Sequence, residues 1–290
     1  MEPLLDPQLL RRLEALALRV RRAVSGQMGG ERRSTARGRS VEFADFRSYS
    51  PGDDFRLIDW NAYARLDRFM LRLFVAEQEL PLSIFVDLSG SMDWGRPNKA
   101  LTAKRLAGAI AYVALAALDR VRLTVFAAGP TSGGAPYRGR RAVAELLSRL
   151  QSFPVGGPTE YSKLVWPIGR QRPGMTVFIS DGLGETSVDP AMAALSRARQ
   201  EGAVIQLLAP QEIAPDWTGD ARLRDAETGV EREFTSTPVT QAAYLNALAE
   251  RTHEIERAAH RRGLRFVRLS TEQPVDDMVL RTLRRLGLLS

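Results

Sequence analysis

The sequence predicts a doubly wound α/β domain, a mostly parallel sheet with helices on both faces. Two observations predict it. Short apolar segments alternate with segments of helical periodicity from residue 82 to residue 286, the pattern of parallel strands joined by helical crossovers. Two of the apolar segments also end in a carboxylate, Asp87 and Asp181, and open parallel sheets bind ligands outside the carboxyl ends of their strands.

The elements follow in order. Residues 4–24 carry apolar side chains at helical spacing with arginines between them, which predicts an amphipathic helix. Residues 25–40, with four glycines and no period, read as a connection. Residues 69–76 alternate weakly and predict a strand. The main strands are expected at 82–86, 121–127, 175–180, 203–209 and 264–269, and the helices at 98–118, 142–151, 190–201, 239–262 and 275–286. Residues 129–140, with four glycines, suggest an edge hairpin or loop. A β-hairpin is expected near 221–236, because Glu227-Thr228-Gly229 separates two short alternating segments. Its simplest reading is a surface excursion, with a recognition protrusion as the sharper one. The expected division is an N-terminal helix and extension over 1–80 and the α/β domain over 81–290.

Composition narrows the function classes. Cysteine is absent, which excludes disulfides, thiolate metal sites and cysteine nucleophiles. The net charge is +7, and it sits at the ends: residues 1–40 hold nine Arg against four acidic residues, and residues 251–290 hold nine against five. Basic ends attract phosphate or acidic partners, yet no module interleaving aromatic and basic residues accompanies them, which argues against nucleic acid. Lys99, Lys104 and Lys163 are the only lysines among 41 basic residues, a bias that fits a GC-rich genome. The longest apolar run, 106–118, is too short to span a bilayer and reads as a buried helix. Residues 1–20 carry Glu2, Asp6 and Glu14 in an amphipathic pattern with no signal-peptide core. The expected location is the cytoplasm.

The chemistry-bearing motif is Asp87-Leu88-Ser89-Gly90-Ser91. Alternate positions on a strand share a face, and a bend at Gly90 lets one carboxylate and two hydroxyls converge. Such a donor set suits a hard cation that prefers oxygen and keeps several waters, Mg²⁺ with Mn²⁺ as the alternative, better than it suits zinc. The loop Gly156-Gly157-Pro158-Thr159 offers a further hydroxyl from Thr159, with Ser162 three residues on as a competing donor, and Asp181-Gly182 ends another strand. The order Asp-x-Ser-x-Ser, Thr, Asp resembles the metal-ion-dependent adhesion site of von Willebrand factor A domains. That resemblance implies Ser89, Ser91 and Thr159 as direct ligands, with Asp87 and Asp181 acting mainly through bound water. Taken singly, each piece also marks an ordinary turn or helix cap.

A second signature precedes the motif. Around Pro51-Gly52, residues Arg47, Asp53, Asp54, Arg56, Asp59 and Arg65 bring opposite charges together near Trp60. Arginine forks pair with carboxylates and stack on aromatics, so the segment is expected to clasp the N-terminal region to the main sheet. Arg47, Tyr49, the run Pro-Gly-Asp-Asp at 51–54, Arg56, Ile-Asp-Trp at 58–60 and Ala64-Arg65, followed by Asp-Leu-Ser-Gly-Ser-Met at 87–92, together resemble the bacterial domain-of-unknown-function family 58. The likeness runs from about Gly38 to the C-terminus. It implies a von Willebrand factor A-like fold, frequent association with MoxR-type AAA+ ATPases and a metal-dependent adaptor role. Many relatives carry transmembrane helices; none is read in this sequence, so the membrane contact it allows is peripheral.

The expected function is therefore a Mg²⁺-dependent, non-enzymatic protein-interaction adaptor. It would work with a MoxR-type ATPase on clients that offer an Asp or Glu. The alternative is a metal-dependent hydrolase of a phosphate or ester. A nucleophilic Ser89 or Ser91 needs a general base, and His253 and His260, seven residues apart on one predicted helix, read as surface residues. Neither G-x-S-x-G nor a P-loop is present.

Overall fold

The structure is a computed structural model that describes residues 3–28, 41–50, 53–76, 81–117, 120–132 and 135–287. Two compact units emerge. Met1–Arg22 groups with Leu80–Ser290, and Ala23–Glu79 forms the other. The start of the chain thus belongs with the main unit and not with the extension expected over 1–80. The reason is burial: helix α1 (Pro7–Met28) hides Leu13, Leu16, Ala17 and Val20, and Leu4 and Leu5 just before it are buried too. Arg12 donates to Asp276 at 2.8 Å and Arg140 to Glu14 at 2.7 Å. The helix also runs past the expected end at residue 24, and most of the connection expected over 25–40 lies outside the described residues.

In the Ala23–Glu79 unit, β1 (Val41–Ser48) pairs antiparallel with β2 (Met70–Ala76). Between them lies α2 (Trp60–Leu66), capped by Asp59, whose side chain accepts from the Asn61 and Ala62 N–H groups. Two of the charges read as a clasp pair with each other. Arg47 forks onto Asp53 with two bonds of 2.8 Å, which raises the arginine's pKa and lowers the carboxyl's. Asp54 accepts from the Arg56 N–H, and Arg65 is exposed. Tyr63 stacks on Phe69 at 4.5 Å, with Trp60 edge-on to both.

The main unit is built on β3 (Leu82–Asp87), β4 (Arg120–Phe126), β5 (Pro130–Ser132), β6 (Tyr137–Arg138), β7 (Gly174–Ser180), β8 (Gln200–Leu208) and, after a separate hairpin β9 (Gly219–Arg224) and β10 (Glu231–Ser236), β11 (Arg265–Ser270). The order is β11-β8-β7-β3-β4-β5. Strands β11, β8, β7, β3 and β4 run parallel, and β5 and β6 pair antiparallel with β4 at the edge. The doubly wound α/β fold is therefore present, with its antiparallel edge where residues 129–140 suggested one.

Helices cover both faces. On one side lie α3 (Lys99–Ala117), α4 (Val143–Ser152) and α9 (Val275–Arg285), and on the other α5 (Val165–Gly169), α6 (Asp189–Arg197) and α8 (Pro238–His260). Burial on both faces explains why β3 and β7 read as continuous apolar runs. Phe85, Phe126 and Phe178 meet across three strands, with Phe126 and Phe178 at 5.2 Å. Helix α6 ends sooner than expected: Arg199 takes a left-handed conformation at φ 52°, and β8 begins at Gln200.

Helix α3 is 19 residues, close to the span 98–118 expected for it. By length and composition it is long enough to cross a membrane. Most of it is buried within the fold, with Gly108 against Leu4, Leu147 and Leu150. Its apolar character is thus accounted for by packing.

Candidate functional site

The strand order places the site. From β3 the chain moves through α3 to β4 on one side, then returns past β3 to β7, β8 and β11 on the other. Strands β3 and β7 thus flank a topological switch point, where a crevice opens beyond the strand ends. Asp87 closes β3, Ser180 closes β7 and Asp181 follows it, so two carboxylates arrive side by side at that crevice.

The loops around it are held backbone to backbone. The Gly90 N–H donates to Gly157 O at 2.8 Å, and the Gly156 N–H donates to Leu88 O at 2.9 Å. These bonds bring the glycine loop beside Ser89 and Ser91. Asp87, Ser89, Thr159 and Asp181 are buried, and Ser91 is half-buried. Thr159 is turned inward, whereas Ser162 lies exposed in the short helical turn Tyr161–Leu164. The five residues singled out by the motif are thus gathered on three loops at one end of the sheet.

The two serine hydroxyls share a hydrogen bond of 3.1 Å. Adjacent oxygen ligands on an octahedral ion with bonds of about 2.1 Å stand about 3 Å apart, so this pair already has the spacing that a small hard cation needs. Asp87 is fastened at both oxygens: Oδ1 accepts from the Ser89 N–H at 3.0 Å and Oδ2 from the Ser180 hydroxyl at 2.6 Å. Ser180 also shares a 2.8 Å hydrogen bond with the buried Tyr161 hydroxyl. Burial, with the charge of Asp181 adding to it, pushes Asp87 up to about 7, although the bonds from Ser180 and Ser89 pull the other way. A buried carboxylate made costly by desolvation and by a like charge is a site where a cation is favoured. Among the described residues no cluster of three His, Cys, Asp or Glu forms a metal cage.

Three partners of the motif were not assigned to the site by the sequence. Lys99, at the start of α3, is buried and donates to Asp181 Oδ2 at 2.7 Å and Glu212 Oε1 at 2.5 Å. Burial opposes its charge, the two carboxylates outweigh that, and its pKa stands above the ordinary lysine value. Burial raises Glu212, in the short helix α7 (Pro210–Ile213), although Lys99 partly offsets the rise. Asp181 Oδ1 accepts from the Leu183 N–H, so each of its oxygens is also engaged. The third partner is Glu227. From the hairpin tip it accepts from the Thr159 N–H at 2.9 Å and the Thr159 hydroxyl at 2.7 Å. Lys99 and Glu212 left no signal beyond being charges next to apolar runs, whereas Glu227 lies in the hairpin that the sequence did reveal. His253 and His260 are exposed on α8.

The chain is 29% identical over 276 residues to the uncharacterized protein Rv1480 of Mycobacterium tuberculosis, covering 92% of this chain and 86% of that one. Among solved structures it is similar in chain course to the conserved hypothetical protein BatB of Bacteroides thetaiotaomicron, with a TM-score of 0.46 and 16% identity over 72% of this chain and 98% of that one. It is also similar to a von Willebrand factor type A protein from Catenulispora acidiphila, with a TM-score of 0.39 and 16% identity over 74% of this chain and 44% of that one. The model of the family described as "Protein of unknown function DUF58" matches residues 45–266, most of the chain and all of the site, and the chain belongs to that family.

Proposed function

We propose that the protein is a metal-dependent protein-interaction module. In this reading Ser89, Ser91 and Thr159 hold a Mg²⁺ or Mn²⁺ ion, and Asp87 and Asp181 act through water. The observation that carries the reading is the pair of hydroxyls 3.1 Å apart above two buried carboxylates. An ion held by neutral oxygens keeps much of its positive charge and attracts a carboxylate from another protein. The chain's own contribution is to present hydroxyls instead of further carboxylates. It also keeps Asp87 oriented through Ser180 and the Ser89 N–H, and neutralises Asp181 from behind with Lys99.

A non-enzymatic role is supported by two features. The hydroxyls of Ser89 and Ser91 are hydrogen-bonded to each other, and the two histidines on which the hydrolase alternative relied sit exposed on α8. The partner class implied by the family resemblance is a MoxR-type AAA+ ATPase, with a client or the ATPase itself supplying the Asp or Glu.

The test is co-purification of this protein with the MoxR-type ATPase of the same organism, in Mg²⁺ and in EDTA. The expected result is a complex that forms in Mg²⁺ and weakens in EDTA and in the Ser89→Ala/Ser91→Ala variant, with circular dichroism unchanged. A complex that survives both treatments rules out the ion as the contact.

A further inference from the structure

The hairpin β9–β10 does not project freely from the fold. At its base, Trp217 meets Phe234 edge-on at 5.7 Å and Tyr244 of α8 at 5.0 Å, and the Ser236 hydroxyl donates to Trp217 O at 2.7 Å. Residues 222–226 and 228–233 along its arms are exposed. The tip returns to the site. Asp225 Oδ1 accepts from the N–H groups of Glu227 and Thr228 and from the Thr228 hydroxyl, and Gly229 takes φ 74° to close the turn. The tip therefore has a shape of its own and presents the Glu227 side chain in one direction.

Two independent features show that the site is built to receive this tip. Thr159 gives both its N–H and its hydroxyl to the Glu227 carboxylate. A hydroxyl that spends its proton on a carboxylate still has its lone pairs for a cation, so this bond and a metal ligand at Thr159 are compatible. Gly90, in the middle of the Ser-Gly-Ser turn, passes directly beneath Ala226: a Cβ at position 90 would lie 2.3 Å from Ala226 O. Gly90 is not among the glycines with positive φ, so what it supplies is space, and the occupant of that space is the hairpin backbone.

We propose that Glu227 is the site's own acidic ligand. Its carboxylate sits where the acidic side chain of a partner would sit, so a partner engages by displacing the hairpin tip. This rests on the reading of the site as a cation-dependent receptor for carboxylates. It adds that the receptor is self-occupied, and that the partner must offer an acidic side chain able to compete with one already tethered. The geometry suits such an exchange. The aromatic anchor at the hairpin base keeps the tip nearby after displacement, while Glu227 is held by two hydrogen bonds from Thr159.

The experiment uses the full chain with Mn²⁺ as the probe. Water-proton relaxation reports the exchangeable waters on bound Mn²⁺, calorimetry gives its affinity, and hydrogen exchange follows the amides of residues 219–236. In Glu227→Ala, with circular dichroism unchanged, three results are expected. Relaxation per bound ion rises as water takes the vacated position, Mn²⁺ binds several-fold more weakly, and the hairpin loses the protection that Mn²⁺ gives it in the wild type. If relaxation and hairpin protection match the wild type while Ser89→Ala/Ser91→Ala no longer binds Mn²⁺, the metal site stands and the internal ligand is overturned. If the wild type itself binds no Mn²⁺, the reading of the site fails and the internal ligand fails with it.

Discussion

At the scale of single residues, Asp87 sits in an environment far from that of a free amino acid. Its carboxyl is pushed up to about 7 by burial and by Asp181, above the ordinary value in an unfolded chain. A group with a raised folded-state pKa contributes stability that is fully present below its unfolded pKa and lost as pH rises through the folded one. Metal-free protein should therefore lose this contribution between about pH 4 and pH 7. A cation that needs the ionised carboxylate reverses the trend. Melting in EDTA and in Mg²⁺ should accordingly show a larger stabilisation by Mg²⁺ near pH 8 than near pH 5. Equal effects at the two values would mean that the ion does not feel Asp87. The motif residues themselves were legible because Asp-x-Ser-x-Ser is a local pattern whose geometry follows from one strand and one bend. The choice between Thr159 and Ser162 was not local. It depends on which hydroxyl turns inward, and only the packed loop shows Thr159 buried and Ser162 exposed.

At the scale of elements, the alternation of strands and helices in the main unit was readable because strands buried on both faces and crossover helices leave different periodicities. Strand β1 was not. Val41–Ser48 carries Glu42, Asp45 and Arg47, and it becomes a strand by pairing with Met70–Ala76, a contact that no local pattern announces. The same limit hid the triad of Lys99, Asp181 and Glu212, whose members are 82 and 113 residues apart along the chain. Three elements, α3, α7 and the end of β7, meet at that ammonium, which is 1% exposed. Removing the cation leaves two buried carboxylates facing each other, so Lys99→Met should destabilise the fold by about 3–5 kcal/mol. Chemical denaturation measures it. A loss below about 1 kcal/mol, the scale of an exposed pair, would show that the triad does not support the fold.

At the scale of the whole molecule, the main unit is discontinuous in sequence, drawing Met1–Arg22 to Leu80–Ser290. The side chains of Leu13 and Val20 are fully buried there. A variant lacking residues 1–22 should lose several kcal/mol, since each fully buried leucine or valine is worth about 1.5–3 kcal/mol, and its melting temperature should fall accordingly. An unchanged melting temperature would make α1 an ornament on a complete core. The contact between Arg12 and Asp276 also has a temporal meaning, for it joins residues separated by 264 positions. At a synthesis rate of about 5–20 residues per second, on the order of ten to fifty seconds pass between the emergence of the first and that of the second. Throughout that interval the guanidinium of Arg12 waits for its carboxylate. The Arg12–Asp276 pair therefore closes only after translation has reached α9, the last helix of the main unit.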